Sequence, residues 1–132
     1  HSVVVATVDE TGHPHTAVMD MMWEDGKTVY FLTADFKPLY KRLKEDGRVA
    51  VTGMTQGAGT MDRKSISLTG QVEWIGKEHL EELLKANPYM YEIYPTEEGR
   101  SHLQVFRFKN PVGNFYDLTQ LPPYQARFEI EG

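Results

Sequence analysis

The stretch Leu32-Thr33-Ala34-Asp35-Phe36-Lys37-Pro38-Leu39-Tyr40-Lys41-Arg42-Leu43 constrains the fold most, because a strand-like run passes into a helix with almost no connection between them. Pro38 suits the first helical turn, where a missing N–H costs nothing, and Phe36, Leu39, Tyr40 and Leu43 then recur at helical spacing. Residues 28–33 just before it are dense in β-branched and aromatic side chains, which marks a strand. The helix start is electrostatically odd. The helix macrodipole is positive there, and Lys37 adds a like charge at a cost of roughly a few tenths of a kcal/mol unless an anion joins it. Two readings follow. Free backbone N–H groups, the Lys37 ammonium and the Thr33 hydroxyl together make a phosphate cradle; alternatively Asp35 is the N-cap and supplies the negative charge, leaving Lys37 solvated.

Strand signals dominate the rest of the chain. Residues 2–9 and 15–24 read as strands closed by the Glu-Thr-Gly and Glu-Asp-Gly-Lys turns, and residues 48–53 resume strand after the helix stops at Gly47. Residues 54–63 are a polar, Gly-rich loop, and residues 64–75 alternate apolar and polar positions over the length of a long, half-buried strand. A second helix over 77–86, carried by Leu80, Leu83 and Leu84, ends at Asn87-Pro88. Residues 89–100 are aromatic and then turn-like; residues 102–109 and 114–118 flank an Asn-Pro-Val-Gly turn, and 125–131 is a last candidate strand. Six or seven strands without regular strand–helix alternation predict a mainly β protein, a closed antiparallel barrel with added α-helices.

The 132 residues predict a single domain spanning 1–132. A net charge of −5 argues against nucleic-acid or anionic-membrane partners, so a bound phosphate needs a local basic cluster. Lys37, Lys41, Arg42 and Lys44 form one, although a solvated outer helix face accounts for three of the four. The chain has no cysteine, which removes disulfides, thiolate metal sites and a cysteine nucleophile and fits a cytoplasmic location. No apolar run approaches the roughly 20 residues that span a bilayer.

Val4-Val5-Ala6-Thr7-Val8-Asp9-Glu10-Thr11-Gly12-His13-Pro14-His15, then Val29-Tyr30-Phe31-Leu32-Thr33 with Lys37 and Leu43, Arg48-Val49-Ala50-Val51, and Ser65-Ile66-Ser67-Leu68-Thr69-Gly70-Gln71-Val72-Glu73 follow one another in the order and spacing of a known family. This ordered set resembles the pyridoxamine 5′-phosphate oxidase-like family of FMN-binding split barrels. Residues 87–95 and 113–118 are similar to an anaerobe-associated, little-characterised branch of it. The resemblance implies a Greek-key split barrel that pairs into a homodimer with FMN in grooves at the subunit interface. It implies Thr16, Val18, Met19 and Asp20 at the flavin ring or ribityl chain, Thr33 and Lys37 at the phosphate, and Lys64 and Ser65 nearby. Many relatives carry a phosphate-gripping arginine near Thr16 or Ala17; neither position is basic here, and Lys64 is the candidate replacement. The family's C-terminal substrate-phosphate residues find no match.

Other candidate chemistry is thinner. His13 and His15 share one strand face at metal-ligand spacing, or belong to a turn leading into the second strand. Residues 53–60 have the glycines of a phosphate loop without its Gly-Lys-Ser/Thr ending. Asp20, framed by Met19, Met21 and Met22, could sit against a flavin and disfavour its anionic reduced form, or pair with a lysine at the surface. Trp74, Tyr89, Tyr91 and Tyr94 could roof a flat ligand or anchor the second helix. Glu81, Glu82, Glu97 and Glu98 read as solvated charge, and no Ser/His/Asp arrangement supports hydrolysis. The resulting expectation is an FMN-dependent oxidoreductase acting on a small flat acceptor, with an electron-donor protein as a candidate partner. The alternative is a non-catalytic module that stores or senses FMN or haem or docks an electron-transfer partner; a deazaflavin is a third cofactor option.

Overall fold

A computed structural model describes residues 2–20, 22–54, 63–120, 122 and 124–129. Its strands are β1 (Ser2–Val8), β2 (Pro14–Asp20), β3 (Trp23–Glu24), β4 (Val29–Ala34), β5 (Arg48–Met54), β6 (Lys64–Gly76), β7 (Leu103–Asp117) and β8 (Tyr124–Glu129). The helices are α1 (Pro38–Glu45), α2 (Leu80–Ala86), α3 (Met90–Ile93) and α4 (Glu97–Arg100). All pairings are antiparallel, in the order β2-β1-β5-β6-β7-β4-β3, with β8 beside the second half of β7. The sheet curls into a split barrel with helices added outside it.

Two apolar clusters explain the curl. Val5, Phe31, Val49, Val51, Leu68, Val72, Phe106 and Phe108 fill the barrel, and α1 inserts Leu39 and Leu43 among them. On the other face of β4 and β7, Tyr30, Leu32, Ala34, Leu103 and Val105 pack beneath Leu83, Leu84 and Met90 of α2 and α3. Strand β4 is therefore covered on both faces, which is why Val29–Ala34 is buried almost throughout rather than alternately, with Thr33 its one hydroxyl besides Tyr30.

Several boundaries differ from the sequence-based expectation, and the helix predicted over 77–86 begins at Leu80. The strand predicted over 15–24 divides into β2 and β3, which pair with β1 and β4 at the two ends of the sheet. The two strands predicted around Asn-Pro-Val-Gly are one continuous β7. Gln71 pairs with Lys109 and Thr69 with Val112, so Asn110 and Pro111 oppose Gly70 alone: the supposed turn is a β-bulge. A bulge accommodates a proline without N–H inside a strand, and Asn110 takes φ of 44° there. Residues 89–100 hold the single-turn helices α3 and α4, the latter capped by Thr96 Oγ1 accepting from Gly99 N–H at 3.0 Å. Residues 55–62 of the Gly-rich stretch lie outside the described residues, as does Met21.

At the end of α1, Gly47 has φ of 80°, and a Cβ there would lie 3.1 Å from the Val72 carbonyl oxygen. No other residue type ends the helix and meets β6 so closely.

Candidate functional site

The sheet stops curling before it closes, and a cavity of about 510 Å³ lies between β2 and β4. Ala17, Val18, Met19 and Asp20 of β2 line it, together with Leu32, Thr33 and Ala34 of β4. Four consecutive residues of one strand face it, which a strand presents only along its edge; among the described residues β2 pairs with β1 alone. Met22 and Leu103 extend the apolar wall, and Tyr89, Met90, Ile93 and Tyr94 of the α3 segment form another side. The size suits a cofactor-sized ligand.

Polar groups reach this cavity from the start of α1. Lys37 is the N-cap, with extended φ and ψ of −89° and 144°, and no side chain caps the helix. The first turn holds no acidic residue. The Asp35 alternative is thereby corrected: its carboxylate lies 2.9 Å from His102 Nδ1, and its N–H donates to the His102 carbonyl at 2.8 Å. Asp35 is thus held through both backbone and side chain to His102, the residue before β7. Lys37 N–H donates to the Ala34 carbonyl, Tyr40 N–H donates to the Lys37 carbonyl, and Pro38 has no N–H, so Leu39 carries the remaining first-turn donor at the cavity. Among the described residues, no carboxylate lies within ion-pair distance of Lys37.

Arg42 joins Lys37 on the cavity wall. Its Nε donates to Thr7 Oγ1 at 2.7 Å, and Thr7 is buried inside β1. That bond fixes one edge of the guanidinium and leaves its terminal N–H groups for another acceptor. Reading Arg42 as part of a solvated helix face missed this; the available signal was its position one turn after Lys37–Pro38, at the i+4 spacing from Pro38 that shares a helix face. Lys44 does face outward, its ammonium 4.3 Å from the Trp74 ring centroid.

On the α3 side, the Tyr89 hydroxyl donates to Asp20, linking the α3 segment to the end of β2. Burial, and then this bond, pushes the Tyr89 hydroxyl up from 10.0 to about 12, so it stays protonated across the physiological range.

Of the residues implied by the resemblance, Val18, Met19, Asp20, Thr33 and Lys37 come together in this cavity. Thr16 is exposed on β2, opposite Ala6, and is not in the lining. Ser65 lies on a smaller groove of about 250 Å³ with Val3, Val4, Thr52, Gly53 and Met54; Val18 lines both hollows. Lys64 sits 3.8 Å from Asp117 rather than in the cavity, so the basic group added to Lys37 there is Arg42. Tyr89 and Tyr94 line the cavity, whereas Trp74 bonds Gln104 through Nε1 at 2.9 Å and Tyr91 stacks on Arg100. His15 Nε2 lies 2.8 Å from Asp9, and His13 Nδ1 lies 2.7 Å from Thr11, so both imidazoles tie down the β1–β2 turn.

The chain's likenesses are to proteins of the same fold. A model of the pyridoxamine 5′-phosphate oxidase family matches residues 1–112. A NimC/NimA family protein from Clostridium acetobutylicum superposes with a TM-score of 0.80 at 21% identity, covering 98% of this chain and 83% of that one. A pyridoxamine 5′-phosphate oxidase-related, FMN-binding protein from Nostoc punctiforme gives 0.67 at 11% identity, over 99% and 87%. A heme-binding protein from Mycobacterium smegmatis gives 0.72 at 14% identity, over 95% of this chain, which spans about half, 52%, of that one. No curated protein matches the sequence. With 112 of its residues matched by the family model, the chain belongs to the pyridoxamine 5′-phosphate oxidase family.

Proposed function

We propose that the cavity between β2 and β4 binds FMN and that the protein is an FMN-dependent oxidoreductase acting on a small flat acceptor. The observation that carries the reading is the convergence of Lys37, Arg42 and the uncapped first turn of α1 on one cavity wall. Such a wall favours a compact dianion by charge, by the Leu39 N–H and by the helix macrodipole together. Thr33 adds a hydroxyl beside it. The residues present therefore fit a phosphate.

The remaining walls fit a flat heteroaromatic ring. Met19, Met22 and Met90 give polarizable surface that adapts to a plane, and Tyr89 and Tyr94 offer aromatic edges. The open edge of β2 supplies backbone N–H and C=O groups for ring heteroatoms. When bound, FMN would supply the redox chemistry. The chain's own contribution is to orient the ring, exclude water with the α3 segment, and hold the Tyr89 proton on its hydroxyl against Asp20.

A homodimer is part of the proposal. Val18, Met54 and Val4 are exposed by 74%, 62% and 41%, and they share the groove that continues from the cavity past Val18. An apolar strip of that kind, beside a cavity with one open side, suits a second copy that completes the enclosure. Light scattering should give twice the chain mass, and Val18→Asp should return the protein to a monomer.

The absorption spectrum of the purified protein, before and after addition of FMN, tests the cofactor. Flavin bands, or uptake of added FMN, support the proposal. A Soret band in their place would assign the cavity to haem, in line with the heme-binding structural relative. A colourless protein that takes up neither would overturn it.

A further inference from the structure

A second hollow, of about 360 Å³, shares no lining residue with the first. It opens where the β3–β4 turn, β6, β7 and the residues leading into α2 meet, and it is lined by Asp25, Lys27, Thr28, Tyr30, Glu73, His79 and residues 107–110. Tyr30, Arg107 and Glu73 are direct partners across β4, β7 and β6, so their side chains form one row along the floor. Arg107 Nε donates to Glu73 at 2.7 Å, and the buried Tyr30 donates to Asp25 at 2.6 Å.

Two features set this hollow apart. His79 at φ 62° and Asn110 at φ 44° are the two non-glycine residues with left-handed backbone among the described residues, and both line it. Strained backbone of this kind gathers at ligand sites, and the bulge at Asn110–Pro111 aims that residue out of the regular pleat. The second feature is charge. Glu73 is paired with Arg107, whereas Asp25 accepts from Tyr30 and from the N–H groups of Lys27 and Thr28 and keeps its negative charge. The ammonium groups of Lys27 and Lys109 have no carboxylate within ion-pair distance among the described residues. The lining thus holds three cations, Lys27, Arg107 and Lys109, against the two carboxylates of Asp25 and Glu73; Glu78 and Glu82 lie 3.6 and 3.8 Å from His79, whose ring packs on Tyr30 and Trp23.

We propose that this hollow is a second binding site, for a small organic oxyanion held by Lys27 and Lys109. A carboxylate or a phosphate ester supplies the same chemistry. Titration of the isotope-labelled protein with benzoate and, separately, with inorganic phosphate at constant ionic strength tests it. Saturable amide shifts at Thr28 and Asn110 with benzoate identify a carboxylate site, and with phosphate a phosphate site. In a Lys27→Gln, Lys109→Gln double variant the dissociation constant should rise at least about tenfold, as expected for two lost charge-assisted contacts, while shifts at Leu39 stay as in the parent. Shifts confined to Leu39 and its neighbours, shifts that never saturate, or an unchanged constant in the double variant would overturn the proposal.

Discussion

Arg42 of α1, which lines the main cavity, and Thr7 of β1, 35 positions apart, are joined by a 2.7 Å hydrogen bond from the guanidinium Nε to the buried hydroxyl. Ala17, near where many relatives are expected to carry a phosphate-binding arginine, lines the same cavity. Under the proposed function, Arg42 supplies from the helix a cation to the cavity that Ala17 also lines.

Thr7→Val keeps the buried volume and removes the acceptor that aims Arg42. A charge-assisted hydrogen bond contributes about 1.5–3 kcal/mol, so FMN affinity should fall roughly tenfold or more. Arg42→Ala should lower it at least as far, and adding Ala17→Arg to Arg42→Ala should restore part of it. Fluorescence quenching of added FMN measures all three, and unchanged affinity in both single variants would remove Arg42 from the site.

Tyr89 reports on the link between α3 and β2. Its hydroxyl titrates near 12 in the folded protein against 10.0 ordinarily, so the folded state holds the proton more tightly. The associated stability is present in full below pH 10 and is lost as the pH rises through about 12. Ultraviolet titration should show one tyrosinate forming late, and Asp20→Asn should bring it earlier. No change in that variant would mean burial alone sets the value.

Asp25 behaves in the opposite sense. The Tyr30 hydroxyl, then the Lys27 and Thr28 N–H groups, hold its carboxyl down at about 2 from 3.8. Its contribution is present above pH 3.8 and disappears as the pH falls through about 2. Asp25→Asn should flatten the acid limb of a stability profile measured by urea unfolding across that interval; an identical limb would contradict this role.

Gly113 makes room for Phe128. A Cβ at position 113 would lie 2.2 Å from the Phe128 ring, which packs against the barrel interior. Gly113→Ala should therefore expel the ring, destabilise the protein by about 1–3 kcal/mol and expose the β7–β8 amides to hydrogen exchange. Because the clash is the cause, adding Gly113→Ala to Phe128→Ala should cost little more than Phe128→Ala alone.

The strand–helix passage was legible because Pro38 and the apolar spacing after it admit one local solution, and the long β6 because its alternation is regular. The bulge at Asn110–Pro111 was not: Asn-Pro-Val-Gly has turn chemistry locally, and the pairing of β6 across it overrides that preference. Within the cavity, Lys37 announced itself by opposing the helix macrodipole. Arg42 gave no comparable sign, since its role depends on Thr7, a partner that only the fold brings near. Tyr89 and Tyr94 were legible as aromatic candidates for roofing a ligand, but the α3 turn and the Tyr89–Asp20 contact were not, because a four-residue helix has no period to read and the contact spans 69 positions.

Comparing FMN with riboflavin tests the central claim most directly, because the two ligands differ only in the phosphate. By equilibrium titration the parent protein should prefer FMN by at least about tenfold, and a Lys37→Ala, Arg42→Ala double variant should lose that preference while still binding riboflavin as before. Equal affinity of the parent for both ligands, or a preference that survives loss of both cations, would contradict a phosphate held at the start of α1.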